Sequence, residues 1–340
     1  MVGLRPGAIR QRYPPAIGHD GGIPHATARP MTTLLLLVPI AEEHKALLHE
    51  RLSVIDAPTP AARAEAIQRH GERIELVLTN GSVGFTAAEI AACPNLRLLA
   101  AQGAGYENLD LEAARTRGVL LCNGAGTNDD CVADHALALL LASVRALPQQ
   151  GAALRAGLWR DVLPLYPNFT GRRLGIVGLG AIGLKIARRA AAFGMVIGYH
   201  NRRPREDAPD TPWFDSPVTL ATWADDLVVA TPGGAATRHV VDAAVLAALG
   251  PGGHVVNIAR GSCVDTAALA EALRAGRIAG AALDVYESEP QPPQELLGLE
   301  QVILTPHVAG WSPQSIRATV ENFLANVQAW QRGEPLPTPI

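Results

Sequence analysis

From residue 32 onward, short apolar runs alternate along the chain with alanine- and leucine-rich stretches that repeat with helical spacing. Four apolar runs in the first part predict strands at residues 34–38, 74–78, 96–101 and 119–122. The stretches between and after them predict helices, among them residues 42–52, 61–70 and 129–146. This alternation is typical of a parallel α/β sheet, because a crossover between parallel strands needs a connection long enough to hold a helix.

A second series of apolar runs follows the helix at 129–146. It predicts six strands, at residues 174–177, 195–199, 227–230, 254–258, 279–285 and 302–304. Six strands joined by crossover helices are typical of a sheet that binds a dinucleotide. A last helix, residues 315–331, has no strand after it in this series, so we expect it to pack on the first sheet. The sequence therefore predicts an α/β fold of two parallel-sheet domains, one inserted into the other.

Composition and charge narrow the class of protein. The 340 residues are 48% hydrophobic and 18% charged, as in an ordinary globular protein, and the net charge of −3 offers no basic surface for nucleic acid. Four cysteines lie far apart without a CxxC pair, which favours reduced thiols and no metal site. The longest aliphatic run, 34–38, is too short to span a membrane. We therefore expect a cytoplasmic protein, with residues 1–31 as a disordered extension and Met31 as the more natural start.

Three charged residues each follow directly on one of the predicted strands of the second series. Arg260, Glu289 and His307 come after the runs at 254–258, 279–285 and 302–304. Ligands of open α/β sheets bind outside the carboxyl ends of the strands, so these three side chains are expected around one crevice. A guanidinium, a carboxylate and an imidazole in that place can bind and protonate a small carboxylated carbonyl compound.

A glycine-rich loop after the strand at 174–177 predicts a dinucleotide site. It reads Gly178-Leu179-Gly180-Ala181-Ile182-Gly183 and opens an amphipathic helix. In this context Gly178 makes the tight turn, Gly180 lets the backbone approach a pyrophosphate, and Gly183 permits close helix packing. The alternative, a glycine turn of structural use only, is disfavoured by the strand before it and the helix after it.

The turn after the next strand predicts which dinucleotide binds. A site that prefers NAD usually carries an acidic residue here for the ribose hydroxyls, but the chain reads His200-Asn201-Arg202-Arg203. Arg202 and Arg203 could form charge-assisted bonds to a 2′-phosphate. We therefore expect NADP(H) to be preferred, with NAD(H) possible. A solvated basic loop is the alternative interpretation.

The motifs around these residues resemble the D-2-hydroxyacid dehydrogenase family, and within it the glyoxylate/hydroxypyruvate reductases. The resemblance covers residues 32–335, and it is carried by the glycine loop and by the segments 257–265, 280–290 and 305–310. It implies that Arg260 binds substrate, that His307 donates the proton, and that Glu289 orients His307. Formate dehydrogenases are similar but carry glutamine at the position of Glu289, so that activity is disfavoured.

The resemblance also implies the remaining contacts. The loop that contains Ala104 and Gly105 would bind the substrate carboxylate through backbone N–H groups, and Asp284 would bind the nicotinamide carboxamide. Further cofactor contacts are expected at Ala181, Ile182, Asn201, Thr231, Pro232, Ile258, Ala259 and Gly310. Thr127 and Asn128 are expected to line the cleft. Trp311 either closes the pocket or packs under the last helix, and the second interpretation is favoured.

The expected domains are a flavodoxin-like substrate domain, residues 32–126 plus 312–340, and a Rossmann-type cofactor domain, residues 127–311. The resemblance implies a homodimer formed through the region 129–159. Two other functions stay open at this point: a D-2-hydroxyacid dehydrogenase for a larger 2-keto acid, and a non-catalytic protein of the same fold that senses a dinucleotide.

Overall fold

The computed structural model describes residues 31–340, and Thr32–Ile340 form one compact unit. The predicted extension, residues 1–31, therefore lies outside the described residues except for Met31.

The first part of the chain forms a five-stranded sheet with four helices. Its elements in chain order are β1 (Thr33–Leu36), α1 (Glu42–His49), β2 (Ser53–Asp56), α2 (Pro60–His70), β3 (Leu76–Thr79), α3 (Ala87–Ala92), β4 (Leu98–Ala101), α4 (Leu111–Thr116) and β5 (Leu120–Cys122). All pairings are parallel, in the order β2-β1-β3-β4-β5. The sequence missed β2, because this edge strand is only partly buried and has a polar residue at each end.

Two consecutive helices lead to the second sheet, namely α5 (Asp129–Val144) and α6 (Leu147–Arg155). The predicted helix at 129–146 ends early because Ala146 adopts a left-handed backbone with φ 47°. The buried alanine and leucine side chains of α5 pack against strands of the second sheet, through residues such as Ile176 and Val256. This contact explains why α5 is apolar around most of its circumference.

The second sheet has seven parallel strands. The elements that follow α6 are β6 (Arg173–Val177), α7 (Ala181–Ala192), β7 (Val196–His200), β8 (Trp213–Phe214), α8 (Pro217–Trp223), β9 (Asp226–Val229), α9 (Ala243–Leu249), β10 (His254–Asn257), α10 (Thr266–Arg274), β11 (Gly280–Leu283), β12 (Val302–Leu304) and α11 (Pro313–Arg332). The strand order is β12-β11-β10-β9-β6-β7-β8. Six of these strands were expected. The seventh, β8, has only two residues and is too short to give a periodic signal. The predicted α/β fold of two parallel sheets is confirmed.

The C-terminal helix α11 returns to the first sheet. Its apolar face, which includes Val320, Phe323 and Val327, packs against Leu34 and Leu36 of β1. Ser312 caps the start of the helix, and Gly333 ends it with a left-handed backbone, φ 68°. The boundaries 32–126 plus 312–340 and 127–311 stay a prediction.

The strand order of the second sheet reverses between β6 and β9. The loops that follow these two strands begin at their carboxyl ends. Such a switch point is the usual ligand crevice of an open α/β sheet. Within residues 31–340 no group of three or more His, Cys, Asp and Glu side chains could hold a metal ion. In the same range no single helix has the length and apolar composition to cross a membrane, although the bent pair α5 and α6 passes that test when taken together.

Candidate active site

A cavity of about 250 Å³ lies where the carboxyl-end loops of the two sheets meet. The first sheet contributes residues after β1, β3 and β4, and the second contributes residues after β10, β11 and β12. Among the predicted site residues, those that line the cavity are Ala104, Gly105, Ile182, Ile258, Arg260, Asp284, His307 and Gly310. The strand-end rule predicted Arg260, Glu289 and His307 around one crevice. Arg260 and His307 line this cavity, and Glu289 contacts His307.

Glu289 and His307 form a hydrogen-bonded pair beside this cavity. Nδ1 of His307 lies 2.9 Å from Oε2 of Glu289. The other carboxylate oxygen, Oε1, accepts from the backbone N–H of Tyr286 at 2.8 Å, which fixes the carboxylate. With Nδ1 directed to Glu289, the imidazole has Nε2 left for another partner.

The pair shifts the pKa of both members. The hydrogen bond to Glu289 raises the pKa of His307 above its ordinary value, although partial burial and the nearby Arg260 oppose this shift. Burial acts to raise the pKa of Glu289, but the hydrogen bonds from His307 and from the Tyr286 N–H outweigh it, so this pKa is lowered. Both shifts favour the ion pair, a charged imidazolium beside a carboxylate.

Asp284 holds the loop that carries His307. This residue is 1% exposed, and its backbone carbonyl accepts from the N–H of His307 at 2.8 Å. Its carboxylate accepts from the N–H groups of Val308 (2.9 Å) and Ala309 (2.8 Å) and from the Thr305 hydroxyl. His307 itself has a left-handed backbone, φ 55°, which is uncommon for a non-glycine residue. Asp284 therefore positions His307, in addition to the nicotinamide contact predicted for it.

Arg260 is held from both sides. The side chain of Asn257, which is fully buried, donates to the carbonyl of Arg260 at 2.9 Å and accepts from the N–H of Ala259 at 3.0 Å. Nη1 of Arg260 donates to the carbonyl of Ala259 at 2.6 Å. Across the cleft, Nε of Arg260 lies 2.9 Å from Oε1 of Glu107, which follows β4 in the first sheet. Glu107 is a contact that the sequence interpretation missed.

The glycine loop has the geometry that a dinucleotide needs. Gly178 has φ 102°, and a Cβ there would lie 2.7 Å from the Thr231 nitrogen. A Cβ at Gly183 would lie 2.3 Å from the carbonyl oxygen of Gly178, whereas one at Gly180 would meet no atom within 4 Å. No side chain caps the N-terminus of α7, so its N–H groups are open beside Gly180. A pyrophosphate fits this arrangement.

The basic turn after β7 contains two kinds of residue. The side chain of Asn201 accepts from the N–H of Leu179 at 2.7 Å, so it supports the glycine loop directly. Arg205, which the sequence interpretation left out, pairs with Asp207 and donates to the Leu179 carbonyl at 2.8 Å. Arg202 and Arg203 are exposed, and in the described part of the chain neither forms an ion pair. These two cations are therefore available to an anion.

Of the other predicted residues, some lie around the cavity and two line it. Thr231 and Pro232 follow β9, next to Gly178, and Ala181 begins α7. Asn128 lines the cavity as expected, and its buried Oδ1 has no hydrogen-bond partner among residues 31–340. For Trp311 the favoured interpretation was wrong: the residue is 62% exposed and lines the cavity, as the alternative had it, instead of packing under α11.

Comparison with known proteins identifies the family. Residues 137–309 match the sequence model of the D-isomer specific 2-hydroxyacid dehydrogenase NAD-binding domain. A glyoxylate/hydroxypyruvate reductase A of Arabidopsis thaliana is 36% identical over 308 residues, which are 90% of this chain and 98% of that protein. The chain belongs to the D-2-hydroxyacid dehydrogenase family. The resemblance inferred from the motifs is thus confirmed, and the protein is an oxidoreductase with a nicotinamide cofactor.

Two further relatives of this D-2-hydroxyacid dehydrogenase differ in the substrates for which they are named. A hydroxyphenylpyruvate reductase of Plectranthus scutellarioides is 35% identical and covers 90% of this chain, with 98% of its own length matched. The crystal structure of an NADPH-dependent glyoxylate/hydroxypyruvate reductase from Sinorhizobium meliloti, in complex with NADP and malonate, has a TM-score of 0.83 and 37% identity. It covers 92% of this chain and 97% of its own.

The Glu289–His307 pair predicts the pH dependence of this dehydrogenase. If His307 donates the proton, as the resemblance implies, the rate of reduction should be full at low pH and fall as pH rises through the raised pKa of His307. In Glu289→Gln the neutral amide no longer stabilises the imidazolium, so the fall should move to lower pH. Profiles of kcat against pH test this shift.

Glu287→Gln is the matched control, since Glu287 pairs with His239 at 2.8 Å. That variant should keep the wild-type pH profile. A Glu289→Gln profile that coincides with the wild-type one would show that Glu289 does not set the pKa of His307.

Proposed function

We propose that this dehydrogenase reduces small 2-keto acids of the glyoxylate and hydroxypyruvate type to D-2-hydroxy acids, with NADPH as the hydride source and His307 as the general acid. One observation carries the proposal: a His–Glu pair with a 2.9 Å contact beside a cavity that Arg260 also lines. The glyoxylate/hydroxypyruvate reductases among the relatives support the substrate class.

Arg260 and the loop after β4 would hold the substrate. A guanidinium can bind a carboxylate oxygen and the keto oxygen together, and it polarises the carbonyl. The backbone N–H groups of Ala104 and Gly105 would bind the other carboxylate oxygen. Both residues line the cavity beside Arg260, so a small keto acid held in this way has its keto oxygen within the space that His307 borders.

His307 would protonate the keto oxygen through Nε2. Glu289 keeps the ring charged and aimed, because it accepts from Nδ1, while Asp284 fixes the backbone of the same residue. An imidazole can both give up and take up a proton near neutral pH, so the transfer is reversible there.

The glycine loop, the start of α7 and the turn after β7 would hold the cofactor. The bound nicotinamide supplies the hydride. Gly180 leaves the space for the pyrophosphate, and the free N–H groups of α7 attract its charge. Asp284 lines the cavity and keeps acceptor capacity for the nicotinamide carboxamide. The exposed pair Arg202 and Arg203 supports a 2′-phosphate, hence NADP(H) over NAD(H).

The preference for NADPH is tested by a charge reversal. In Arg202→Asp a carboxylate replaces a cation near the expected 2′-phosphate, so kcat/KM with NADPH should fall about tenfold or more, and kcat/KM with NADH should hold or rise. Arg202→Lys, which keeps the charge, is the control and should stay close to wild type. A wild-type protein that uses NADH more efficiently than NADPH contradicts this part of the proposal.

A larger 2-keto acid is a second candidate substrate, and one observation favours it. A mostly apolar cavity of about 560 Å³ borders His307 and Glu289, with Val83, Leu297 and Leu304 in its walls. An aromatic or long aliphatic substituent would fit such a volume. The hydroxyphenylpyruvate reductase among the relatives is named for a substrate of this kind.

A kinetic panel decides between these substrates and tests His307. We expect NADPH oxidation with glyoxylate and hydroxypyruvate, and a kcat lower by about 10²–10⁴ in His307→Asn, because the general acid is lost. His239→Asn is the matched control, since His239 also pairs with a glutamate.

Higher kcat/KM with phenylpyruvate-type acids than with glyoxylate would favour the second candidate substrate. Turnover with no 2-keto acid would overturn the function, and near-normal kcat in His307→Asn would overturn the acid.

We also propose a homodimer. Exposed apolar side chains are concentrated in and just after α6, where Leu154, Trp159 and Leu165 are 58%, 63% and 100% exposed. Burial of such a surface against a second copy would be favourable. Sedimentation should give about twice the mass of one chain, and Trp159→Asp together with Leu165→Asp should shift it toward the monomer. A wild-type monomer at assay concentration contradicts the dimer.

A further inference from the structure

Glu107 and Arg260 form an ion pair across the cleft between the two sheets. Glu107 lies in the loop after β4, and Arg260 lies after β10. Nε of Arg260 is 2.9 Å from Oε1 of Glu107, and Nη2 is 3.4 Å from Oε2. The two side chains therefore meet in a side-on, two-point arrangement. Each is about one third exposed, so the pair sits at the border of the cavity.

The donors of Arg260 can be counted. A guanidinium has five N–H groups, one on Nε and two on each terminal nitrogen. Glu107 takes one N–H on Nη2, and the Ala259 carbonyl takes one on Nη1. Nε meets Oε1 of Glu107 as a close ion-pair contact and not as an aligned hydrogen bond. One N–H then remains on each terminal nitrogen. Two donors on adjacent nitrogens are the pair that can grip two oxygens of an anion.

Three glycines make room for this pair. A Cβ at Gly105 would lie 1.6 Å from Nη2 of Arg260, and one at Gly81 would lie 2.6 Å from Oε2 of Glu107. A Cβ at Gly233 would lie 2.8 Å from Cγ of Arg260. None of the three glycines has a positive φ. Space for the two side chains, and not an unusual backbone, therefore accounts for the missing Cβ atoms.

We propose that Glu107 is a positioning residue: its carboxylate holds the guanidinium of Arg260 side-on, so that the two remaining N–H groups face the substrate, and it ties the loop after β4 to the loop after β10. This inference rests on the proposed binding of a 2-keto acid by Arg260. It gives the substrate loop a second task, since the same loop would bind the carboxylate through Ala104 and Gly105 and would orient Arg260 through Glu107.

Simple charge arithmetic makes the opposite prediction, and this makes the proposal testable. Glu107 is an anion beside the binding site of another anion, so its neutralisation should tighten substrate binding if charge alone mattered. Neutralisation should also tighten substrate binding if Glu107 merely occupies the position of the substrate carboxylate and must leave when substrate binds. If Glu107 orients Arg260, its neutralisation should weaken binding, because a misplaced guanidinium loses its two-point contact.

The experiment compares Glu107→Gln with wild-type protein loaded with NADPH. Oxamate, an unreactive analogue with the carboxylate and carbonyl oxygens of a 2-keto acid, is titrated by calorimetry. We expect its affinity to fall about tenfold in the variant, and kcat/KM for the best 2-keto acid to fall by about 10- to 100-fold. The affinity for NADPH alone should change less than the affinity for oxamate, because the carboxylate of Glu107 pairs with Arg260.

Asp225→Asn is the matched control. Asp225 pairs with Arg173 through the same two nitrogens, at 3.4 Å and 3.0 Å, at the amino end of the second sheet. Loss of this pair should leave oxamate binding as in wild type. Equal losses in both variants would show a general effect of a broken ion pair and would overturn the proposal.

A double-mutant cycle tests whether Glu107 acts through Arg260. Lysine has no fork to orient, so Glu107→Gln in an Arg260→Lys background should change kcat/KM little further. The same fold-loss in both backgrounds, or tighter oxamate binding in Glu107→Gln, overturns the proposal. If wild-type protein reduces no 2-keto acid, the proposed function fails, and the oxamate titration still decides the role of Glu107.

Discussion

The site depends on one buried carboxylate, that of Asp284, at the end of β11. Through its carbonyl and both carboxylate oxygens it accepts hydrogen bonds from three successive backbone N–H groups, those of residues 307, 308 and 309. A buried acceptor that lost these donors would be costly, so the loop after β12 has little freedom. The left-handed backbone of His307 is held by this loop. The distance from His307 to Glu289 therefore depends on how Asp284 holds the loop after β12, as well as on the two side chains themselves.

Arg260 depends on the fold in a comparable way. The side chain of Asn257 hydrogen-bonds to the backbone of Ala259 and of Arg260 in the turn after β10. Across the cleft, Glu107 of the first sheet pairs with the guanidinium of Arg260. The two halves of the site are thus built differently. The proposed proton donor, His307, is held by residues that follow strands of the second sheet, whereas the guanidinium of Arg260 is also held by a contact with the first sheet. A change in the width of the cleft would disturb Arg260 before it disturbed His307.

Sequence patterns predicted the elements that carry a periodic or apolar signal. The buried strands, the glycine loop and the three residues after β10, β11 and β12 could be placed because strand ends converge in an open sheet. The edge strands β2 and β8 could not, since one is only partly buried and the other has two residues. Glu107 was missed for a different reason. It follows a glycine turn with no apolar context, and its partner is 153 residues away in the chain.

Residue types alone do not make this site, as a second triad in the same chain demonstrates. His239 pairs with Glu287 at 2.8 Å, and Arg238 lies 3.8 Å from the same glutamate. Yet none of these three residues lines the cleft cavity. Glu287 also accepts from the N–H and hydroxyl of Thr266 at the start of α10, which is a structural role. What distinguishes Arg260, Glu289 and His307 is their position at the carboxyl ends of three adjacent strands, beside the glycine loop. The chemistry proposed for these three residues follows from that position.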